Sequence, residues 1–190
     1  MKYDMTAIIF AGGKSSRMGK DKALLPFAGY NTLSEFQYHK LSSLFDKVYI
    51  SSKEDKFDFA AAVITDRYEE SSPLVGIISI FEALEVDEVF ILSVDAPFVN
   101  EEVIEKLLNY EEEFDAIIAK STSGAQPLCG VYRRSILPLA EKHLKEGNHR
   151  LTHLLKKAHT QFISFEDDAP FTNLNHPHEY EQAMKSFILP

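Results

Sequence analysis

Phe10-Ala11-Gly12-Gly13-Lys14-Ser15-Ser16-Arg17-Met18-Gly19-Lys20-Asp21-Lys22-Ala23-Leu24-Leu25 follows directly on an apolar run, residues 5–10, that reads as a buried first strand. Glycines let a backbone approach an anion closely, and consecutive N–H groups in such a turn converge on it. Lys14, Arg17, Lys20 and Lys22 add positive charge. A strand, a glycine-rich turn and a cluster of cations in that order point to a phosphate chain as ligand. The bland alternative is a tight turn with a solvated basic face.

Outward from this segment the chain alternates apolar runs with helical patterns. Residues 47–51, 62–65, 89–94 and 115–119 read as further short strands buried on both faces. Between them, residues 32–44, 74–84 and 101–109 carry helical periodicity, the last capped by Asn100 with acids in its first turn. Such alternation predicts an α/β fold, a mostly parallel sheet with helices on both faces. Residues 127–132 read as another strand, with an antiparallel setting open. The helices 135–145 and 151–158, the strand 161–164 and the helix 178–187 follow. The polar, acidic stretch 166–174 reads as a surface loop.

The 190 residues suffice for one sizeable core, so 1–190 is expected to form a single domain. At 45% hydrophobic and 26% charged the composition is ordinary for a globular chain, and no run approaches a membrane span of roughly 18 apolar residues. Asp4 and Thr6 interrupt any signal-like apolar stretch, which predicts a cytoplasmic location without membrane attachment. The net charge of −9 argues against nucleic acid as a partner. Four of the 20 Lys and Arg residues nevertheless fall between Lys14 and Lys22, opposed only by Asp21. A cationic pocket inside an anionic envelope suits a small polyanion such as a nucleotide. The single cysteine, Cys129, lies between Leu128 and Gly130 and reads as a small core residue.

Several polar residues stand where strands end, and in open α/β sheets ligands bind beyond those ends. Asp95, in Ser93-Val94-Asp95-Ala96-Pro97-Phe98, is the candidate for Mg²⁺, a cation that takes one or two protein carboxylates and completes its shell with phosphates and water. Its alternative role, capping the following helix, is already filled by Asn100. Asp66 follows a strand and could make a turn or touch ligand. Gly76 in Pro73-Leu74-Val75-Gly76 could let the backbone approach a sugar or base. Gln126-Pro127 reads equally as strand edge or substrate-facing turn. Asn148-His149-Arg150 and Asn173-Leu174-Asn175-His176-Pro177 are polar clusters beside helix starts, and Asn175 could simply cap the last helix. His149 and His153, or His176 and His178, lack a third ligand at zinc-site spacing. No G-x-S-x-G elbow supports a hydrolase.

The glycine-rich segment is neither of two common phosphate loops. Five residues separate Gly13 from Gly19 and Asp21 follows Lys20, which breaks the Walker spacing, and adjacent Gly12 and Gly13 break G-x-G-x-x-G. It resembles instead the nucleotidyltransferase signature A-G-G-x-x-x-R-M-G-x-x-K. With Asp66, Pro73-Leu74-Val75-Gly76, Asp95-Ala96-Pro97-Phe98, Gly147 to Arg150 and Asn173-Leu174-Asn175-His176-Pro177 in order, the chain from Ala7 to about Ala183 resembles the molybdenum cofactor guanylyltransferase (MobA) family. The resemblance implies a Rossmann-like nucleotidyltransferase fold and transfer of GMP from GTP to molybdenum-loaded molybdopterin, releasing pyrophosphate. It implies Arg17, Lys22 and Asp95 as catalytic groups, with Mg²⁺ on Asp95. Nucleotide contacts are then expected from Phe10, Ala11, Gly12, Gly13, Lys22 and Asp66, and from Pro73, Leu74 and Gly76. The pterin is expected nearer Asn173 and Asn175, and molybdoenzymes or cofactor-insertion proteins become candidate transient partners.

Two positions depart from the family pattern: Lys53 stands where an Asn is common near the guanine pocket, and His176 replaces the usual Thr before proline. A CTP-using or sugar-phosphate transferase is the related alternative, separable by nucleotide competition. A non-catalytic sensor would bind GTP without releasing pyrophosphate, and an unrelated interaction module would show no nucleotide-dependent shift in melting temperature.

Overall fold

The apolar run at 5–10 forms an interior strand of a seven-stranded sheet in the computed structural model, which describes residues 2–12, 20–110 and 112–188. The strands are β1 (Tyr3–Phe10), β2 (Phe45–Ser52), β3 (Ala62–Thr65), β4 (Glu88–Ser93), β5 (Ala116–Ser121), β6 (Gly124–Arg133) and β7 (Thr160–Ser164), in the order β3-β2-β1-β4-β6-β5-β7. All pairings are parallel except those of β6, which runs antiparallel to β4 and β5. The helices are α1 (Leu33–Leu44), α2 (Pro73–Ala83), α3 (Glu101–Leu108), α4 (Leu137–Lys145), α5 (Leu151–Lys157) and α6 (Pro177–Ile188). Period-two alternation sends Ala7 and Ile9 of β1 against α1, α3 and α6, and Ile8 and Phe10 against α2, α4 and α5. The expected α/β architecture, with helices on both faces, is the one observed. No helix among the described residues is long and apolar enough to cross a membrane.

The differences from expectation have local causes. β3 is an edge strand with only Ile64 of its four residues buried, so it is not covered on both faces. The helix expected from 135 is split, a 3-10 turn at Arg134–Ile136 preceding α4, because Pro138 sits in the first turn of the α-helix and lacks the N–H an interior position needs. β6 is longer than residues 127–132 but kinked: its pairing with β5 jumps from Ile118↔Gly130 to Ala119↔Gln126. Pro127 cannot donate to a ladder, and its carbonyl instead accepts from the buried Tyr132 hydroxyl at 2.6 Å. The bulge pushes Gln126 to Leu128 out at the carboxyl end of β4. At the other end of the kink Gly130 lies so close to β5 that a Cβ would meet the Ile117 carbonyl at 2.2 Å.

The stretch 166–174 is not wholly a surface loop. It contains a 3-10 turn at Ala169–Phe171, and Phe171 and Leu174 are buried in the core beneath the site. Its acidic end is tied down where Asp168 accepts from Thr122 Oγ1 and from Ser123 N–H at 3.2 Å, which holds its carboxyl below the usual carboxylate range. Cys129 is buried as expected, its thiol pushed up to about 12 by burial.

Candidate active site

The carboxyl ends of β1, β2 and β4 stay linked past their last ladder pairs. Ala11 N–H donates to the Ser51 carbonyl and Val94 N–H to the Phe10 carbonyl, both at 2.9 Å, and Asp66 N–H donates to the Ser52 carbonyl at 3.1 Å. The turn after β1, the Asp66 turn and the Asp95 segment are thereby brought to one rim. Gly13 and Arg17 lie outside the described residues, as do Lys14, Met18 and Gly19.

Asp95 is held from three sides. Ser93 Oγ donates to Oδ1 at 2.6 Å, Lys22 Nζ to Oδ2 at 2.5 Å, and Leu174 N–H to the Asp95 carbonyl at 2.9 Å. Lys22 opens a short 3-10 turn, Lys22–Leu24, capped by Asp21 Oδ1, which accepts from Ala23 N–H at 3.1 Å; the other Asp21 oxygen pairs with Lys56. The one acid within the basic segment therefore braces the lysine's backbone instead of neutralising its ammonium. Lys22 Nζ also donates to Asn175 Oδ1 at 3.1 Å and the Leu174 carbonyl at 3.4 Å. Both Lys22 and Asp95 are mostly buried, with side chains 19% and 15% exposed, so their charges interact at reduced screening.

Asn175 is thus neither a helix cap nor a cavity wall. The start of α6 is served by Glu179, which accepts from the N–H groups of Asn175 and His176 at 2.7 Å each, and those bonds hold its carboxyl below its ordinary range against the effect of burial. The side chain of Asn175 is left for Lys22.

Two cavities meet at Pro73, the first residue of α2. One, of about 300 Å³, is lined by Phe10, Gly12, Asp66, Gly76 and the serines 51, 52, 71 and 72. Burial raises the Asp66 carboxyl above its usual value, an effect that Lys53 opposes. The other, of about 450 Å³, runs from Ser93 and Asp95 across Gln126, Leu128, His149, Arg150 and Thr152 to Phe171 and Asn173. Ser72 stands between them: its Oγ caps α2, accepting from Val75 N–H at 3.3 Å, and lies 2.8 Å from His149 Nδ1.

Of the residues expected to bind ligand, Phe10, Gly12, Asp66, Pro73 and Gly76 share the smaller cavity, and Asp95, Pro73 and Asn173 the larger. Ala11 is buried beside the rim. Leu74 is 1% exposed and belongs to the core beneath α2, so its side chain takes no part in either wall. Gly76 faces the ring of Phe10: a Cβ there would lie 2.6 Å from Phe10 Cε1. Gly76 allows close packing of α2 against β1, which shapes the cavity that Gly76 also lines. Gly76→Ala is expected to lose about 1–3 kcal/mol of stability by overpacking, measured by denaturant melts, with a rise in KM for nucleotide as the ring is displaced.

The serines at 51, 52, 71 and 72 carry no motif of their own. Ser51 and Ser52 could have been found only as hydroxyls at the end of an otherwise apolar strand. Among the described residues no group of three or more His, Cys, Asp or Glu is placed to hold a metal.

A family model described as the MobA-like NTP transferase domain matches residues 7–162. The chain belongs to this family. A molybdenum cofactor guanylyltransferase of Campylobacter jejuni is 38% identical over 182 residues, covering 94% of this chain and 95% of its own. One from Helicobacter pylori is 34% identical, covering 96% and 92%. The crystal structure of molybdopterin-guanine dinucleotide biosynthesis protein A from Archaeoglobus fulgidus superposes with a TM-score of 0.82 at 22% identity, covering 96% of this chain and 98% of that one, a likeness of fold. The MobA-like assignment makes the chain a nucleotidyltransferase, and it gives the resemblance read from the ordered motifs its family.

Proposed function

We propose that this chain, working as one nucleotidyltransferase domain, transfers GMP from GTP to the terminal phosphate of molybdenum-loaded molybdopterin. The names of its relatives support the substrates, and one observation supports the chemistry: Asp95, paired with Lys22, lines a cavity walled by Arg150 and Asn173 that meets, at Pro73, a second cavity walled by Gly12 of the β1 turn. GTP is assigned to the cavity of Gly12 and Asp66, the pterin to the cavity of Gln126, Arg150 and Asn173.

In the reaction an oxygen of the acceptor phosphate bonds to the α-phosphorus of GTP in line with the α–β bridging oxygen. That P–O bond breaks, and pyrophosphate leaves with its electrons. Charge builds on the equatorial oxygens and on the leaving group, so catalysis is a matter of position and electrostatics, without a side-chain nucleophile. Lys22 supplies a cation already held on Asp95, and Arg17 in the neighbouring sequence supplies a second. The backbone N–H groups at the Gly12 turn cradle the outer phosphates. Asp95 fits Mg²⁺ as a single hard carboxylate, a donor set that serves an ion taking its other ligands from phosphates and water. Bound there, Mg²⁺ supplies charge neutralisation at the phosphate oxygens. Arg150 and Asn173, which share a cavity with Asp95, orient the acceptor so that its phosphate faces Asp95.

The test is incubation with GTP, Mg²⁺ and molybdenum-loaded molybdopterin, followed by mass analysis of the pterin and pyrophosphate release. Asp95→Asn preserves shape and removes the charge, so turnover is expected to fall about 10²-fold or more while binding of the bare nucleotide changes little. Wild-type turnover of Asp95→Asn at saturating Mg²⁺ sinks the metal assignment.

A further inference from the structure

The segment that carries Asp95 leaves β4 at Ser93 and, after Val94 N–H donates to the Phe10 carbonyl, enters no further strand or helix until Asn100 caps α3, so its carbonyls have no ladder partner. Pro97 removes one N–H from the segment itself. The Ser93 carbonyl accepts from Ala96 N–H at 3.2 Å, and helix α1 adds further donors to the segment from two side chains one turn apart. Gln37 Nε2 donates to the carbonyls of Ser93 and Val94 at 3.3 and 3.2 Å, and Lys40 Nζ donates to those of Pro97 and Val99 at 3.1 and 3.0 Å. The carbonyl of Asp95, between these two grips, is taken by Leu174 N–H.

Both donors are costly where they stand. Gln37 is fully buried, and its Oε1 has no hydrogen-bond partner among the described residues. The Lys40 ammonium lies under the segment, 5.7 Å from the centre of the Phe36 ring, and among the described residues no carboxylate comes within ion-pair distance of it. Apolar residues of similar length would fill the same space without a desolvation penalty. What the two polar residues share is the stretch 93–99 and, through it, the placement of one carboxylate.

We propose that Gln37 and Lys40 are positioning residues for phosphoryl transfer: together they fix the backbone from Ser93 to Val99 so that the Asp95 carboxylate meets Lys22 and the phosphates in register. This rests on the assignment of Asp95 and Lys22 to the phosphate machinery. Small misplacements of a reacting constellation cost rate far more than binding, as much as about 10²-fold for 1 Å. Neither side chain lines either cavity, so neither touches nucleotide or acceptor.

Lys40→Met keeps the stem and loses the donor, and Gln37→Leu does the same in the other grip. For each, pyrophosphate release is measured with GTP, Mg²⁺ and molybdenum-loaded molybdopterin, alongside the melting temperature. The expected result is a fall in kcat of about 10–100-fold, an unchanged KM for GTP, and a higher Mg²⁺ concentration at half-maximal rate. A purely structural role would shift the melting temperature without moving the Mg²⁺ requirement. In an Asp95→Asn background, adding either substitution is expected to cost little more, because the carboxylate it positions is gone. Wild-type kcat and Mg²⁺ requirement in the folded variants overturn the proposal, as does a full additional loss in the Asp95→Asn background. If only one variant folds, it carries the same test. Loss of turnover in Asp95→Asn with none in Lys40→Met or Gln37→Leu defeats the positioning role alone, whereas wild-type turnover in Asp95→Asn defeats the reading of Asp95 and this proposal with it.

Discussion

Lys22→Ala is expected to lower kcat by about 10²–10³-fold while the protein stays folded, because the ammonium acts on charge that develops only as pyrophosphate departs. The substitution removes the donor to Asp95, Asn175 and the Leu174 carbonyl at once. The remaining Asp95 carboxylate keeps its bond from Ser93 Oγ, so the site loses one cation without stranding its acid. Its rim position limits the cost in stability, as the side chain is not fully buried. Stopped assays of pyrophosphate release, with circular dichroism as the check on folding, measure both quantities. Pyrophosphate release at the wild-type rate removes Lys22 from the mechanism. Asn175→Ala makes a useful companion: it removes a Lys22 contact outside both cavities, so it is expected to lower kcat with little effect on KM for the acceptor.

The course of the chain was legible where periodicity and punctuation agree. The apolar run before Gly12, the cap at Asn100 and the alternation of strands with helices each correspond to an element of the structure. The antiparallel setting of β6 was open in the sequence because residues 127–132 are apolar on both sides, and direction is not encoded by side-chain pattern alone. The bulge was illegible for a different reason. It depends on Pro127 meeting the hydroxyl of Tyr132, two residues whose partnership arises only once the strand is bent. At the site, Asp95 and Asp66 were legible as acids at strand ends. Asn175 was not readable beyond two options, since the competitor for the helix start, Glu179, lies four residues on and must fold back to reach it. Leu74 lies inside a motif read as functional, yet its side chain is buried in the core beneath α2, which the motif alone does not distinguish. Gln37 and Lys40 were invisible because within α1 they look like ordinary polar helix positions, and their partners are carbonyls 56 to 59 residues away.

GTP is expected to be used in preference to CTP and ATP, by as much as about 10⁴–10⁵ in kcat/KM. The cavity assigned to the nucleotide is small, and Ser51, Ser52, Ser72 and Asp66 stand among its lining residues beside Phe10, Pro73 and the glycines. Ser52 is 2% exposed, and its Oγ has no hydrogen-bond partner among the described residues. A polar group of the site left unpaired by the wrong base costs about 1–3 kcal/mol, which a base with the right edge avoids. Guanine offers a carbonyl acceptor beside ring N–H and amino donors, so it can satisfy hydroxyls and an acceptor oxygen together. Adenine lacks the carbonyl, and cytosine is too small to reach the same set of partners from one position. Lys53 bears on the cavity only through its charge, which opposes the raised value of the Asp66 carboxyl and so favours an ionised acceptor for guanine's donors. Discrimination of this kind arises from unpaired groups on the protein, so it should appear in kcat/KM under direct competition more than in the affinity for triphosphate alone. Competition kinetics with the three nucleotides at equal concentration decide the matter, and CTP turnover equal to that with GTP would move the chain to a cytidylyl-transferring activity.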